Sequence, residues 1–216
     1  MTEEPSDGSA VPKGARFWEE SFRGHDAGWF FGGEPSTLAR RLHHFFRLME
    51  IPTQGRLLEL GCGEGRDVAF FSSLGFDVEA LDGSPTGVQR ARLAAERAGL
   101  RAQISQGDLA AFVWSEDYDI VFANNSVQFV GEDARRVLSE IRSHTRPGGW
   151  NAIGMFTREE VDWRREQEVY CLDHRELKHI YRDWTLLEYA ESIVYSPRRA
   201  QYVSFANLIA RRPTSH

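Results

Sequence analysis

Short apolar runs alternate along this chain with segments whose apolar residues recur at helical spacing. Leu38, Leu42, Phe45, Phe46 and Met49 fall on one face of a helix that must stop before Pro52. Arg56 to Leu60 reads as a first strand, and the next helix carries Val68, Ala69, Phe71 and Leu74 inward. Gly75 to Asp82 alternates like a short second strand. Ser84 and Pro85 open a helix to Ala98, Ser as its cap and Pro as its first residue, and Gly99 stops it. A third short run covers Arg101 to Ser105. Asp119 to Ala123 reads as a buried fourth strand, and Gly131 to His144 as a helix. Arg146-Pro147-Gly148-Gly149 predicts a tight turn into a fifth strand, Trp150 to Phe156. Asp173 and Glu176 make a capping box for a helix to about Tyr181. Two apolar runs, Trp184 to Tyr195 and Tyr202 to Ile209, flank Pro197-Arg198-Arg199 and predict a closing hairpin. Five β/α units and a hairpin predict an α/β fold. The expected form is a Rossmann-like, seven-stranded, mostly parallel sheet with one antiparallel strand and helices on both faces.

Upstream of the first helix the pattern breaks down. Phe17 to Phe31 is aromatic-rich and interrupted by Gly24 and Gly28, with Gly32 and Gly33 following. It reads either as core packing or as an irregular lid with one helical turn, and the glycines favour the lid. Residues 1–14 are polar and rich in Glu, Ser, Pro and Gly, the composition of a disordered leader. Residues 15–216 then form a single domain, 15–50 being the lid and first helix.

Composition narrows the function classes. A net charge of −6 offers nothing to attract nucleic acid or an anionic membrane. No apolar stretch approaches the roughly 20 residues of a membrane span, and no signal peptide is visible. Cys62 and Cys171 suggest no disulfide framework, and no cluster has zinc spacing, so no metal is expected. A cytoplasmic chain acting on a small molecule, with no obligate protein partner, is the expectation.

The chemistry gathers at Leu57-Leu58-Glu59-Leu60-Gly61-Cys62-Gly63-Glu64-Gly65. An apolar strand ending in an acid and a three-glycine turn, then a helix, is a nucleoside-cofactor cradle. Arg66 stands where a dinucleotide fingerprint wants its third glycine. Glu59 and Glu64 bracket the turn with negative charge, a poor setting for a pyrophosphate but a tolerant one for an ammonium and a sulfonium. S-adenosylmethionine carries both, and the motif resembles motif I of the class I methyltransferases. Asp82, at the carboxyl end of the second strand, can accept both ribose hydroxyls in bonds worth roughly 1.5–3 kcal/mol. The resemblance implies that Asp108 meets the adenine amino group with Leu109 against the ring, although Asp108 also suits the cap of a turn. Leu60, Gly61, Gly63, Gly83, Ser84 and Asn124 complete the expected cofactor set. Asn124 and Asn125 read as turn-formers or as residues beside the methyl group.

The resemblance extends further. Phe17-Trp18 and Gly28-Trp29-Phe30-Phe31-Gly32-Gly33-Glu34-Pro35-Ser36 are similar to the lid of the thiopurine, thiol and halide methyltransferases. Arg146-Pro147-Gly148-Gly149-Trp150-Asn151, the segment from Asp173 to Trp184 and the ending from Phe205 to Arg212 resemble the tellurite-resistance methyltransferases. Both groups methylate soft, polarisable atoms, which implies a thiol or similar nucleophile as acceptor. Trp18, Trp29 and Phe30 would close the site, where an aromatic face favours a sulfonium by about 0.5–2 kcal/mol. The family pattern makes 157–182 a cap over the substrate pocket, and Phe31, Asn125, Arg164 and Tyr170 the acceptor side. Arg16, Arg23 and Arg66 are candidates for the cofactor carboxylate. The alternative is an N- or O-methyltransferase of a specialised metabolite. It would need a base, with His25, Asp26, Tyr170 and His174 as candidates.

Overall fold

The computed structural model describes residues 11–25, 30, 32–158, 169–196 and 201–214. Seven strands run in the order β3-β2-β1-β4-β5-β7-β6: β1 (Arg56–Leu60), β2 (Asp77–Asp82), β3 (Ala102–Gln106), β4 (Tyr118–Asn124), β5 (Thr145–Phe156), β6 (Thr185–Ser196) and β7 (Gln201–Arg211). Only β7 opposes its neighbours. Among the described residues the α-helices are α1 (Arg16–Arg23), α2 (Thr37–Leu48), α3 (Arg66–Ser73), α4 (Pro85–Arg97), α5 (Ala134–Ser143) and α6 (Glu176–Ile180). No helix among the described residues is long and apolar enough to cross a membrane.

Strand β1 is buried on both faces, which is why it reads as nearly continuous apolar sequence. Leu57 belongs to one buried cluster with Phe46 of α2, Phe71 of α3 and Val88 of α4, and Leu58 to a second with Leu138 and Ile141 of α5 and Leu177 of α6. Helix α4 begins where Ser84 accepts the Gly87 amide, as Ser84-Pro85 predicts, and α2 begins in the same way where Ser36 accepts the Ala39 amide.

Several expectations change. Helix α1 is a regular eight-residue helix rather than a single turn in an irregular segment. Within the stretch expected as a leader, Lys13 and Gly14 join Ala15 in a 3-10 turn whose Ala15 amide donates to the Pro12 carbonyl. The helix expected from Gly131 starts at Ala134, since Gly131 takes φ 60° and breaks a preceding 3-10 segment, Val127–Asp133. Arg146 to Gly149 is a bulge inside β5: Tyr118 pairs with Thr145, but Ile120 pairs with Trp150. Only half of the capping box forms, with Glu176 accepting the Asp173 amide at 2.8 Å. Arg175, at φ 60°, intervenes as the residue before α6. The turn of the closing hairpin and residues 159–168 of the expected cap segment lie outside the described residues.

Candidate functional site

The strand order reverses between β1 and β4, and in an open parallel sheet ligands bind at such a point beyond the carboxyl ends of the strands. Here the two strand ends are stitched together. The Ser126 hydroxyl, just after β4, donates to the Leu60 carbonyl at the end of β1 at 2.5 Å. Gly61 permits that contact: it takes φ 76°, and a Cβ there would sit 2.1 Å from Ser126 Cβ. Its amide and that of Cys62 donate to the Leu81 carbonyl, which turns the chain across the end of β2.

Asp82 ends β2 inside this turn. Its Oδ2 accepts the Gly63 amide at 2.7 Å and its Oδ1 the Ser84 amide at 2.8 Å. Each oxygen keeps capacity for a second donor, so the carboxylate is held rigidly and can still take a pair of hydroxyls. Burial pushes its carboxyl above the usual range, while the Ser84 and Gly63 amides oppose that shift.

The N-terminal elements close over the turn through buried acids. Glu19 of α1 accepts the Ser84 hydroxyl at 2.6 Å, and the Thr86 amide and hydroxyl at 3.0 and 2.8 Å. Burial works against its charge, but these donors and Arg23 together hold its carboxyl below the usual range. Glu64 accepts the Phe30 amide at 2.6 Å and pairs with Arg90 at 2.7 Å; Arg90 also reaches the His25 carbonyl. The ring of Trp18 stacks on Phe22 and meets Phe30 and Phe129 edge-on.

These elements enclose a cavity of about 1300 Å³. Gly61, Gly63, Asp82, Gly83, Asp108 and Leu109 stand along it, as do Asn124, Asn125, Tyr170, Trp18 and Phe30. Asp108 spends one oxygen on the Ala110 amide at 2.9 Å, so the turn-capping reading and a place in the wall hold together. Asn125 takes φ 57°, donates its side-chain amide to Asn124 at 3.2 Å, and keeps a buried Oδ1 without a partner.

Other expected site residues stand elsewhere. Glu59, Leu60 and Ser84 do not line the cavity. Glu59 shares the face of β1 that carries Leu57, opposite Leu60, and burial with Asp67 beside it pushes its carboxyl well above the usual range. Glu64 is neutralised by Arg90. The negative bracket expected around the turn is therefore largely absent, and the glycine geometry with Asp82 carries the cofactor argument. His174 pairs with Glu191 with its side chain 64% exposed, and His25 is not in the cavity wall. Of the arginine candidates, Arg66 lines the cavity, whereas Arg23 is bound to Glu19 on the outside. Asp26, Trp29, Phe31 and Arg164 lie outside the described residues.

Sequence reasoning missed the buried acids Glu19 and Asp67 and the wall formed by Phe129, Phe156, Val203 and Phe205. Nothing in the sequence around Glu19 distinguishes it from a helix-surface acid. A Ser-Pro-Thr start to α4, rich in donors and seeking an acceptor, was the available signal. Burial also pushes the Cys62 thiol well up, which fits a structural residue in a tight loop.

Comparison with known proteins agrees with this architecture. The family model described as "Tellurite resistance protein TehB" matches residues 39–199. The chain is 32% identical to Hemagglutinin 1 of Eikenella corrodens over 167 residues, 73% of this chain and 55% of that protein. It is 28% identical over 146 residues, 64% of this chain and 49% of the relative, to the probable S-adenosyl-L-methionine-dependent methyltransferase TehB of Haemophilus influenzae (strain Rd). The chain thus spans about half the length of these curated relatives. The crystal structure of Haemophilus influenzae TehB superposes with a TM-score of 0.69 at 22% identity, over 80% of this chain and 62% of that one. The N-methyltransferase NodS of Bradyrhizobium japonicum, solved with S-adenosyl-L-homocysteine, superposes with 0.68 at 17% identity, over 94% and 100%. With three quarters of its length matched by one family model, this chain belongs to the TehB family.

Proposed function

We propose that this chain is an S-adenosylmethionine-dependent methyltransferase acting on a small molecule, with a thiol or related soft nucleophile as acceptor. The observation that carries the cofactor is Asp82, fixed by the Gly63 and Ser84 amides at the switch point of the sheet. When bound, S-adenosylmethionine supplies an electrophilic methyl group on a sulfonium centre. Asp82 would hold its ribose, Asp108 and Leu109 its adenine, and Gly61 and Gly63 would let its chain approach the backbone. Trp18 and Phe30 exclude water from above. Charge disappears when a sulfonium meets a thiolate, so a dry aromatic enclosure favours that transfer. The TehB relative in Haemophilus influenzae is described as a probable enzyme of this kind.

The walls favour an acceptor that ionises by itself. Among the described residues, Tyr170 is the candidate base that reaches the cavity. Burial and its bond to Glu176 push its hydroxyl up to about 12, and Arg135 holds the same oxygen. At neutral pH it is a poor base. A thiol, with a free pKa near 8.5, needs little help.

The second reading, N- or O-methylation, is favoured by one observation. Asn125, which lines the cavity, carries an amide able to orient the N–H or O–H of an amine or alcohol. Release of S-adenosylhomocysteine, followed across small thiols, selenols, amines, imidazoles and phenols, separates the two. Turnover concentrated on thiols or selenols supports the first reading; turnover confined to amines, imidazoles or phenols replaces it with the second.

A further inference from the structure

The cavity is larger than a cofactor alone requires: single-ligand sites run to roughly 300–1,000 Å³, and this one encloses about 1300 Å³. The surplus has a definite chemistry. A row of ring contacts leads from the lid into the sheet, from Trp18 to Phe129 at 5.3 Å, Phe129 to Phe156 at 6.1 Å and Phe156 to Phe205 at 5.1 Å. Strand register extends it. Phe156 pairs with Phe205, Val203 lies two residues from Phe205 on the same face, and Val194 pairs with Val203. Phe156 and Val203 are buried, whereas Val194, at the far end of the strip, is 52% exposed. The strip thus starts at the lid and runs out to solvent between β6 and β7.

Charge is distributed differently. The described cations that line the cavity, Lys13 and Arg66, stand beside the glycine turn and the Gly83 end of β2. Along the strip itself no Lys or Arg occurs among the described residues. Among the described residues of the strip a compact oxyanion would find no cation, and an apolar body would find a continuous surface.

We propose that the acceptor is a lipophilic molecule whose nucleophilic atom sits near Asn125 and whose alkyl or aryl body lies along Phe129, Phe156, Phe205, Val203 and Val194. The proposal rests on reading the cavity as a methyl-transfer site, and it sets the acceptor's class rather than its reacting atom. An uncharged body of that kind is selected by area: each buried methylene contributes about 0.8 kcal/mol, or about fourfold in kcat/KM.

The test uses homologous acceptors on the full chain with S-adenosylmethionine: ethanethiol to hexanethiol, and matched alkylamine and alkylphenol series. We expect kcat/KM to climb about fourfold per methylene in whichever series turns over. Val194→Asp, at a half-exposed position that the fold tolerates, should cut the gain for the longer members severalfold and leave S-adenosylhomocysteine affinity unchanged. A flat or falling dependence on chain length overturns the proposal, as does a slope that Val194→Asp does not alter. If no series turns over, it is the methyltransferase reading that fails. The strip is then judged by Nile red binding to the chain: saturable binding weakened by Val194→Asp upholds an apolar ligand site, and no binding overturns it.

Discussion

Glu19 accepts the hydroxyl of Ser84 at 2.6 Å, and the same Ser84 oxygen accepts the Gly87 amide at 2.9 Å as the cap of α4. One serine thus caps a helix and anchors the element that covers the cofactor cradle. The carboxylate also sits at the N-terminal end of α4, where the helix dipole favours negative charge. Glu19→Ala should leave the Ser84 and Thr86 donors buried without that acceptor. Loss of a charged hydrogen-bonding group of this kind costs roughly 1.5–3 kcal/mol. We expect a thermal midpoint lower by several degrees and weaker S-adenosylhomocysteine binding by calorimetry. Unchanged affinity would show that α1 does not help to hold the cofactor.

Acid should separate cofactor binding from lid docking. Glu19 has its folded pKa below the ordinary value of 4.5, so its stabilising contribution is present above that value and is lost as pH falls through the depressed one. Asp82 shifts the other way, above 3.8, chiefly through burial. It takes up a proton at a higher pH than an ordinary aspartate does, and a protonated Asp82 is a weaker acceptor for two hydroxyls. On lowering the pH, S-adenosylhomocysteine affinity should therefore fall first and thermal stability later. Paired calorimetry and melting curves across the acid range check the order; coincident losses would contradict it.

Asp82→Asn tests the ribose assignment directly. The amide presents an NH2 group where the carboxylate offered only acceptors, so the Gly63 or Ser84 amide loses its partner. With roughly 1.5–3 kcal/mol at stake, the Kd for S-adenosylhomocysteine should rise about 10- to 150-fold. Far-UV circular dichroism should stay native, since Asp82 is the last residue of β2 and the replacement is isosteric. An affinity within twofold of the original would remove Asp82 from the cofactor's partners.

The sequence made the sheet legible because each parallel strand is a short apolar run punctuated by a residue with one structural meaning. Ser84-Pro85 starts a helix by capping chemistry, and Gly61 lies where no Cβ fits. The same segments located one wall of the cavity, where Gly61, Gly63 and Asp82 stand. The aromatic wall was illegible for a physical reason: Phe129, Phe156, Val203 and Phe205 meet through ring contacts and strand register between residues far apart in sequence. Each alone reads as core. Glu59 misled in the opposite way. Its motif position suggests a ligand contact, but strand alternation turns it away from the cavity, onto the face packed by α2, α3 and α4. His174 sits at the start of a short helix, a plausible place for a base, yet its ring meets Glu191 at the surface.

The contact between Gly61 and Ser126 yields the sharpest structural prediction. Gly61→Ala adds two separable penalties. Its φ of 76° places an L-residue in the left-handed region, which costs roughly 1–2 kcal/mol. Its Cβ would lie 2.1 Å from Ser126 Cβ, an overlap that typically costs a further 1–3 kcal/mol as the backbone shifts. Ser126→Gly alone removes the hydroxyl bonded to Leu60 and should cost about 1 kcal/mol. Combining the two removes the overlap but keeps the strain at residue 61. The double variant should therefore be more stable than the sum of the single effects predicts, by roughly 1–3 kcal/mol in a double-mutant cycle read by urea denaturation. Strict additivity would mean that backbone strain at residue 61, and not the packing of the two strand ends, is what requires glycine in the first position of the turn.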